Sequence, residues 1–537
     1  MWKFSYILFF VILISLIQCK DSSSVLPPAS DSTGQPPKKN LTLSINLNEV
    51  HQTIHSFGAS DGWTTKFIGT WTDVDKKNKI ADLLFSMDTL KNGSPEGIGL
   101  SLWRFNIGAG SYEQGDSSDI ATDWRREECF LNVDGTYDWS KEAGHQWFLQ
   151  AAKKRGVKYT LGFALSPPVY MTKNGKAFNG TTNTSMNIRP GKMGDYADFL
   201  AKVANHFHFD YISPVNEPQW SWGESNSASQ EGTQATNEEI ASLVKLLSAN
   251  LSGSSTKVVV GEAGEWDFLY GKNSDSRGDQ IAQFFSSSSS NYIGNLPNVE
   301  HAISSHSYFT TCPENTLVSI RQQVADRIKQ VDPTLQTWMT EFGVLGNICG
   351  QLNGYPRNTS IDYGLYVAKV LYADLTIANV TSWQWWLAVN PYDYSDGLVY
   401  INDPSGKIDI DNCKQDGIVL ESKQLWALGN YSRFIRPGME RIDVSISGYI
   451  DPLSAAPSLM VSAYKDEKDK ELVIVLVNIS SEVKTLELDN NNSFNIKNNL
   501  FNTYTTSAVD NLKRSYAKPD SIVVQPKSIV TLTGKYQ

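Results

Sequence analysis

Between about residue 50 and residue 436, short apolar runs alternate with stretches whose apolar residues recur every three or four positions. The runs at 54–59, 100–106, 157–164, 211–216, 257–261, 302–306, 337–341 and 380–386 have the length and composition of strands. The stretches at 77–90, 141–155, 194–207, 237–251, 317–331, 363–377 and 422–434 read as amphipathic helices. In the first of them Ile80, Leu83, Leu84 and Met87 fall on one helical face. Thr236, followed three residues on by Glu239, has the form of a capping box. Eight strands alternating with helices predict an α/β fold, a parallel (β/α)8 TIM barrel over 44–438.

After Gly438 the period changes to two. Runs at 459–464, 471–478, 483–488 and 521–533 are separated by Asn, Ser, Asp and Pro. They predict a C-terminal antiparallel β-sandwich domain over 439–537, expected to serve as a packing partner for the barrel. Residues 41–48 alternate in the same way and are expected to add a strand to it.

The beginning of the chain has another character. Lys3 precedes an apolar run over 7–17, short for a membrane span and suited to a signal peptide over 1–18. Leu16-Ile17-Gln18-Cys19 resembles a bacterial lipoprotein cleavage box, with Cys19 as the lipidated residue. Gln18 departs from the small residue usual there. Residues 19–43, rich in Ser, Pro, Asp and Lys, then read as a disordered, lipid-anchored tether. The expected location is the outer membrane or cell surface of a bacterium, otherwise the periplasm or medium. Contact with the membrane is expected only through the anchor.

Composition narrows the function. The 537 residues carry a net charge of −10 with no basic run, which argues against a nucleic-acid partner. Fifteen Trp, 23 Tyr and 22 Phe fill core and also suit stacking on sugar rings. Without Cys19, four cysteines remain at 129, 312, 349 and 413, which allow three pairings. Neither a CxxC nor a His-rich spacing is present, so neither a metal site nor a cofactor is expected. A monomer is expected.

In such a barrel the chemistry sits where strands end. Strand four ends in Ser213-Pro214-Val215-Asn216-Glu217-Pro218 and strand seven in Trp338-Met339-Thr340-Glu341-Phe342-Gly343. A carboxylate after an apolar strand is costly, and one alone would be read as half of a structural ion pair. Two of them at strand ends of one barrel match the pair that glycosidic cleavage needs, one carboxyl protonated and one ionised. Their proximity raises the cost of ionising both and keeps one protonated.

The Asn216-Glu217-Pro218 end of strand four, with Glu341 on strand seven, resembles the clan A retaining glycosidases, and most of all glycoside hydrolase family 30. Four pieces in all carry that likeness in order: Phe57-Gly58-Ala59-Ser60 with Trp63; Ser166-Pro167-Pro168-Val169-Tyr170-Met171; Ser213 to Pro218; and the run from Ala427 to Gly438. They cover nearly all of 45–537. The resemblance implies that Glu217 is the general acid/base and Glu341 the nucleophile. It implies that Asn216 binds a sugar hydroxyl, that Arg104 holds Glu341 ionised, and that Tyr308 orients it. His306, as a lone histidine, has a structural reading beside a binding one.

Other residues compete for binding roles. Glu262, ending strand five, is a candidate for a sugar hydroxyl, and Asp61 for a subsite. Glu265 and Asp267 follow Glu262, whereas Glu113 and Asp116 read as solvated loop. Trp63, Tyr170, Trp220, Trp222, Trp266 and Trp385 lie at or just after strand ends and are candidate stacking platforms, each with core packing as its alternative. Cys312 and Cys349 follow neighbouring strands six and seven, which favours their pairing.

The stretch Trp103 to Gly110, with Gln230-Glu231-Gly232, looks most like the endo-β-1,6-galactanase branch, whose substrate is an arabinogalactan-type side chain. A glucuronoxylanase, with Arg125 and Arg126 as candidate partners of a uronate, and a β-1,6-glucanase are the alternatives. A non-catalytic glycan-binding lipoprotein is the alternative of another class. The presence of both glutamates argues against it.

Overall fold

The computed structural model describes residues 40–180, 184–223, 227–491 and 493–537. The expected signal peptide, Cys19 and the tether as far as residue 39 lie outside the described residues. Eight parallel strands of the ten-stranded central sheet form a ring: Ser56–Ser60, Leu102–Ile107, Tyr159–Ala164, Tyr211–Ser213, Lys257–Ala263, Val299–His306, Gln336–Glu341 and Val380–Asn390. Each pairs with the next, and the eighth pairs with both the seventh and the first, which closes the ring. This is the (β/α)8 barrel that the alternation predicts.

Strand two shows how the ring presents its side chains. Trp103, Phe105 and Ile107 join the core under the helices, while Leu102 joins Leu161, Val259, Ala302 and Trp338 inside the barrel. Alternation therefore turns Arg104 inward, where its guanidinium lies 3.7 Å from the centre of the Phe163 ring. Strand eight breaks the alternation once. Trp385 pairs with Ala59 and Leu387 with Ser60, so Trp386 is an extra residue in the ladder. Such a bulge re-aims the side chains beyond it. Trp383 and Trp385 stay with the helix-side core, and Trp386 turns inward with Leu387.

Three elements differ from the sequence expectation for local reasons. Strand four stops at Ser213, because Pro214 has no amide hydrogen to give the ladder. The first long helix is Val74–Phe85 rather than 77–90. Asp73 caps it by accepting from the Lys76 amide at 3.1 Å, and Ser86 ends it in an extended conformation, leaving Met87 exposed. The helix after strand five, Gln280–Phe285, is too short for a periodicity to show. By contrast, the Thr236/Glu239 capping box is present on helix Asn237–Asn250 as expected.

The C-terminal region is a nine-stranded sheet. Leu41–Thr53 enters it antiparallel to Glu440–Ile446, and its first three residues run parallel to Lys484–Leu488. The strand expected over 41–48 is thus present in this sheet, residues 41–43 belong to it rather than to the tether expected over 19–43, and the sheet is mixed rather than purely antiparallel. In its strand Glu471–Asn478, Leu472, Ile474 and Leu476 pack with Leu43, Ile45 and Leu486 in the sheet's own core. Val473, Val475 and Val477 face the barrel core. Burial on both sides explains why this strand is a continuous apolar run. The barrel's last helix, Lys423–Ser432, is bonded to the sheet: Asn430 Nδ2 donates to Thr531 Oγ1 at 2.9 Å, and Thr531 Oγ1 donates to the Asn430 carbonyl at 2.7 Å.

Candidate active site

Beyond Pro214 the chain turns at the C-terminal mouth of the barrel. Glu217 takes φ 43°, in the left-handed region, and its amide donates to the Glu262 carbonyl at 2.9 Å. Glu262, on strand five, takes the same φ of 43°. A side chain with a Cβ is strained there, and such strain persists only where the surroundings impose it, commonly at functional sites. Glu341 is the last residue of strand seven. Both Glu217 and Glu341 are buried, and an oxygen of one lies within 4.8 Å of an oxygen of the other.

A polar frame beneath them fixes their orientation. Arg104 Nη1 donates to Glu341 Oε2 at 2.7 Å, and its Nη2 donates to Asn216 Oδ1 at 2.8 Å and Glu262 Oε2 at 3.0 Å. Tyr308 Oη donates to Glu341 Oε1 at 3.1 Å. A guanidinium can only donate, so Asn216 must turn its oxygen to Arg104, which leaves its NH2 group for the pocket. His306 bridges two acids, with Nδ1 2.8 Å from Glu217 Oε1 and Nε2 2.9 Å from Glu262 Oε2.

Charge follows from this frame. Burial alone would push the His306 pKa down, but the carboxylates of Glu341, Glu217 and Glu262 outweigh it and carry it to about 10. His306 is therefore an imidazolium near neutral pH. Burial would raise Glu262, yet Arg104 and His306 outweigh it and hold the carboxyl below its ordinary value. For Glu217 burial wins: the His306 bond and charge pull its pKa down and Glu341 adds to the rise, and the net shift is upward. The two mouth glutamates are thus differentiated, one favouring the proton and one gripped by a cation and a phenol.

Above them opens a pocket of about 680 Å³. Trp63, Trp220, Trp222, Trp386, Tyr308, Phe309, Tyr392 and Tyr394 supply its aromatic walls, and Arg125, Asn216, Gln230, Asn390 and Asp396 its polar ones. Two glycines seat the tryptophans. A Cβ on Gly264 would stand 2.0 Å from Trp220 Nε1, and one on Gly232 would stand 2.3 Å from the Trp222 ring. The disulfide Cys312–Cys349 joins the loops after strands six and seven, the pairing favoured from their positions.

The model of O-Glycosyl hydrolase family 30 matches residues 40–400. The chain belongs to glycoside hydrolase family 30. A conserved exported protein from Bacteroides fragilis is similar over 92% of this chain and 100% of its own, at 33% identity and a TM-score of 0.85. The catalytic domain of a family 30 xylanase C from Talaromyces cellulolyticus matches 92% of this chain and 100% of its own at 21% identity and a TM-score of 0.64. An endo-β-1,6-glucanase matches 92% of this chain and 94% of its own at 17% identity and a TM-score of 0.61. The last two share the fold. The protein is accordingly a glycosidase with a TIM barrel and an added β domain.

Several residues expected to touch substrate are placed elsewhere in this family 30 enzyme. Trp385 is fully buried, with Nε1 donating to the Asp396 carbonyl at 2.7 Å; the bulge gives the pocket to Trp386 instead. Trp266 is fully buried and donates to Ser307 Oγ at 2.7 Å. Tyr170 donates to the Leu131 carbonyl at 2.6 Å and lies off the pocket wall. Glu262 and His306 are buried under the two mouth glutamates, where they set charge rather than line the cavity. Arg104 sits at the same level and grips Glu341. Trp63, Asn216, Trp220 and Tyr308 do line the pocket.

Sequence reasoning missed Asp396. It lines the pocket and accepts from Asn390 Nδ2 at 2.6 Å, and burial pushes its carboxyl up to about 6. The readable signal was the run Asn390-Pro391-Tyr392-Asp393-Tyr394-Ser395-Asp396, a loop after strand eight dense in Asn, Asp and Tyr. Of the two candidate arginines, only Arg125 is on the wall, 4.5 Å from the Trp63 ring centre. Arg126 turns away and donates to the Ile120 carbonyl and Asp116.

Proposed function

We propose that this family 30 glycosidase cleaves a β-linked polysaccharide with retention of configuration. The observation that carries this reading is the approach of Glu217 and Glu341 to within 4.8 Å. A retaining enzyme holds its two carboxyl groups about 5–5.5 Å apart, with which this oxygen-to-oxygen approach agrees, whereas an inverting enzyme spaces them roughly 6.5–9.5 Å apart to admit a water. Glu341, held by Arg104 and Tyr308, attacks the anomeric carbon. The glycosidic C–O bond breaks, and the leaving oxygen takes the proton of Glu217. Water then attacks the glycosyl-enzyme, loses its proton to Glu217 and frees Glu341. The NH2 group of Asn216 donates to the sugar hydroxyl next to the reacting carbon.

The favoured substrate is β-1,6-galactan, cut by endo action. Its support is the likeness of 103–110 and 230–232 to that branch, together with their contact in space. Glu231 Oε2 accepts from the Ala109 amide at 2.9 Å, and Gln230 stands on the pocket wall. A glucuronoxylan is the second reading, because Arg125 offers the wall a cation. Export as a lipoprotein through Cys19 belongs to the same proposal. Product analysis on β-1,6-galactan, β-1,6-glucan and glucuronoxylan tests the substrate, and NMR of the first-formed anomer tests the stereochemistry. An inverted anomer would sink the mechanism, and turnover confined to glucuronoxylan would sink the galactan reading.

A further inference from the structure

Two tyrosines beside the pocket are strongly exposed although their loops are firmly built. Tyr355 is 57% exposed and Tyr394 is 41% exposed. Their ring centroids are 5.9 Å apart with planes at 48°. Tyr394 lines the pocket; Tyr355 extends the aromatic surface beyond it. No hydroxyl hydrogen bond of either phenol is present among the described residues, so both remain able to bond a ligand.

The loops that carry them come from strands seven and eight and are sewn together below the rings. Ser395 N donates to the Gly354 carbonyl at 2.7 Å, Arg357 N to Asp393 Oδ1 at 2.8 Å and Asn358 N to Ser395 Oγ at 2.9 Å. The strand-seven loop also contains the paired segments Asn347–Ile348 and Leu352–Asn353 and is tied down by the Cys312–Cys349 disulfide. Tyr363 closes its base by donating to the Asn353 carbonyl at 2.7 Å. Aromatic rings left in water on a rigid mount bury no core. They offer a ligand a large flat apolar face whose ordering cost is already met by the fold.

We propose that Tyr355 and Tyr394 form an outer sugar subsite, stacking on the apolar face of a pyranose residue of the β-linked chain, away from the bond that is cut. The proposal rests on the polysaccharide reading above and adds where a longer chain is held. Continuity with the pocket selects a glycan as the occupant, because Tyr394 lines the same pocket as Trp386 and Tyr392 and its ring stands beside that of Tyr355.

The test is kcat/KM for the full-length enzyme on β-1,6-galacto-oligosaccharides of two to six residues. For Tyr355→Ala the loss grows with chain length and reaches roughly tenfold on the longest, the scale of one good aromatic contact. Tyr355→Trp keeps the stacking face and restores the slope, which a merely structural tyrosine would not allow. Equal loss at every length, no loss at any length, or failure of the Trp variant to recover overturns the subsite. If the wild type instead prefers β-1,6-gluco-oligosaccharides, the galactan reading fails, and the same length series in glucan decides the subsite.

Discussion

His306 Nδ1 stands 2.8 Å from Glu217 Oε1, which places a buried imidazolium against the carboxyl assigned to acid/base work. Its bond and charge draw the Glu217 pKa down against burial and the Glu341 charge. If Glu217 is the general acid, the free enzyme needs it protonated, and the alkaline limb of kcat/KM against pH reports that group. His306→Asn removes the cation that favours the carboxylate form. The expected result is an alkaline limb shifted to higher pH. A limb that stays in place or moves down would show that His306 only buttresses the fold.

Glu341→Ala takes away the group held by Arg104 at 2.7 Å and Tyr308 at 3.1 Å. If Glu341 forms the glycosyl-enzyme, kcat falls by on the order of 10⁴-fold or more, since the covalent route is lost as a unit. Steady-state rates on the best polysaccharide measure it, with circular dichroism to check folding. Retention of near-wild-type kcat in a folded variant removes Glu341 from the nucleophile role.

Glu217→Gln keeps the size of the side chain and loses its transferable proton. Turnover of a polysaccharide should drop by roughly 10²–10⁴-fold, the usual worth of general acid catalysis. An aryl glycoside with an acidic phenol needs less protonation of its leaving oxygen, so its glycosylation step should suffer less. Equal losses on the two substrates contradict the acid role.

Arg321 and Asp374 test the support of the site rather than its chemistry. Both are fully buried, with Arg321 Nε donating to Asp374 Oδ1 at 2.6 Å. Asp374 also accepts from Trp383 Nε1 and from Ser307 Oγ, the neighbour of Tyr308. Arg321→Met strands a buried carboxylate and should cost about 3–5 kcal/mol in chemical denaturation. The double variant with Asp374→Leu should recover part of that loss. No recovery would mean that the arginine's bonds to the Thr310 and Leu317 carbonyls, rather than the ion pair, carry its contribution.

Much of this enzyme was legible because its signals are local. Period two against period 3.6 needs only neighbours in the chain, and so do the Thr236/Glu239 capping box and a glutamate after an apolar strand. These determined the barrel, the added β domain and the candidacy of Glu217 and Glu341. The positions of Trp385, Trp386 and Asp396 were not local. One bulged residue opposite Ser60 decides which tryptophan reaches the pocket, and nothing near Trp386 in the chain announces it. The charge of His306 likewise depends on three carboxylates, from the turn after strand four and from strands five and seven, meeting around one ring. Register and Coulomb energy act between residues far apart in the chain, so only the closed barrel could decide which side chains line the pocket and which lie beneath it setting their charge.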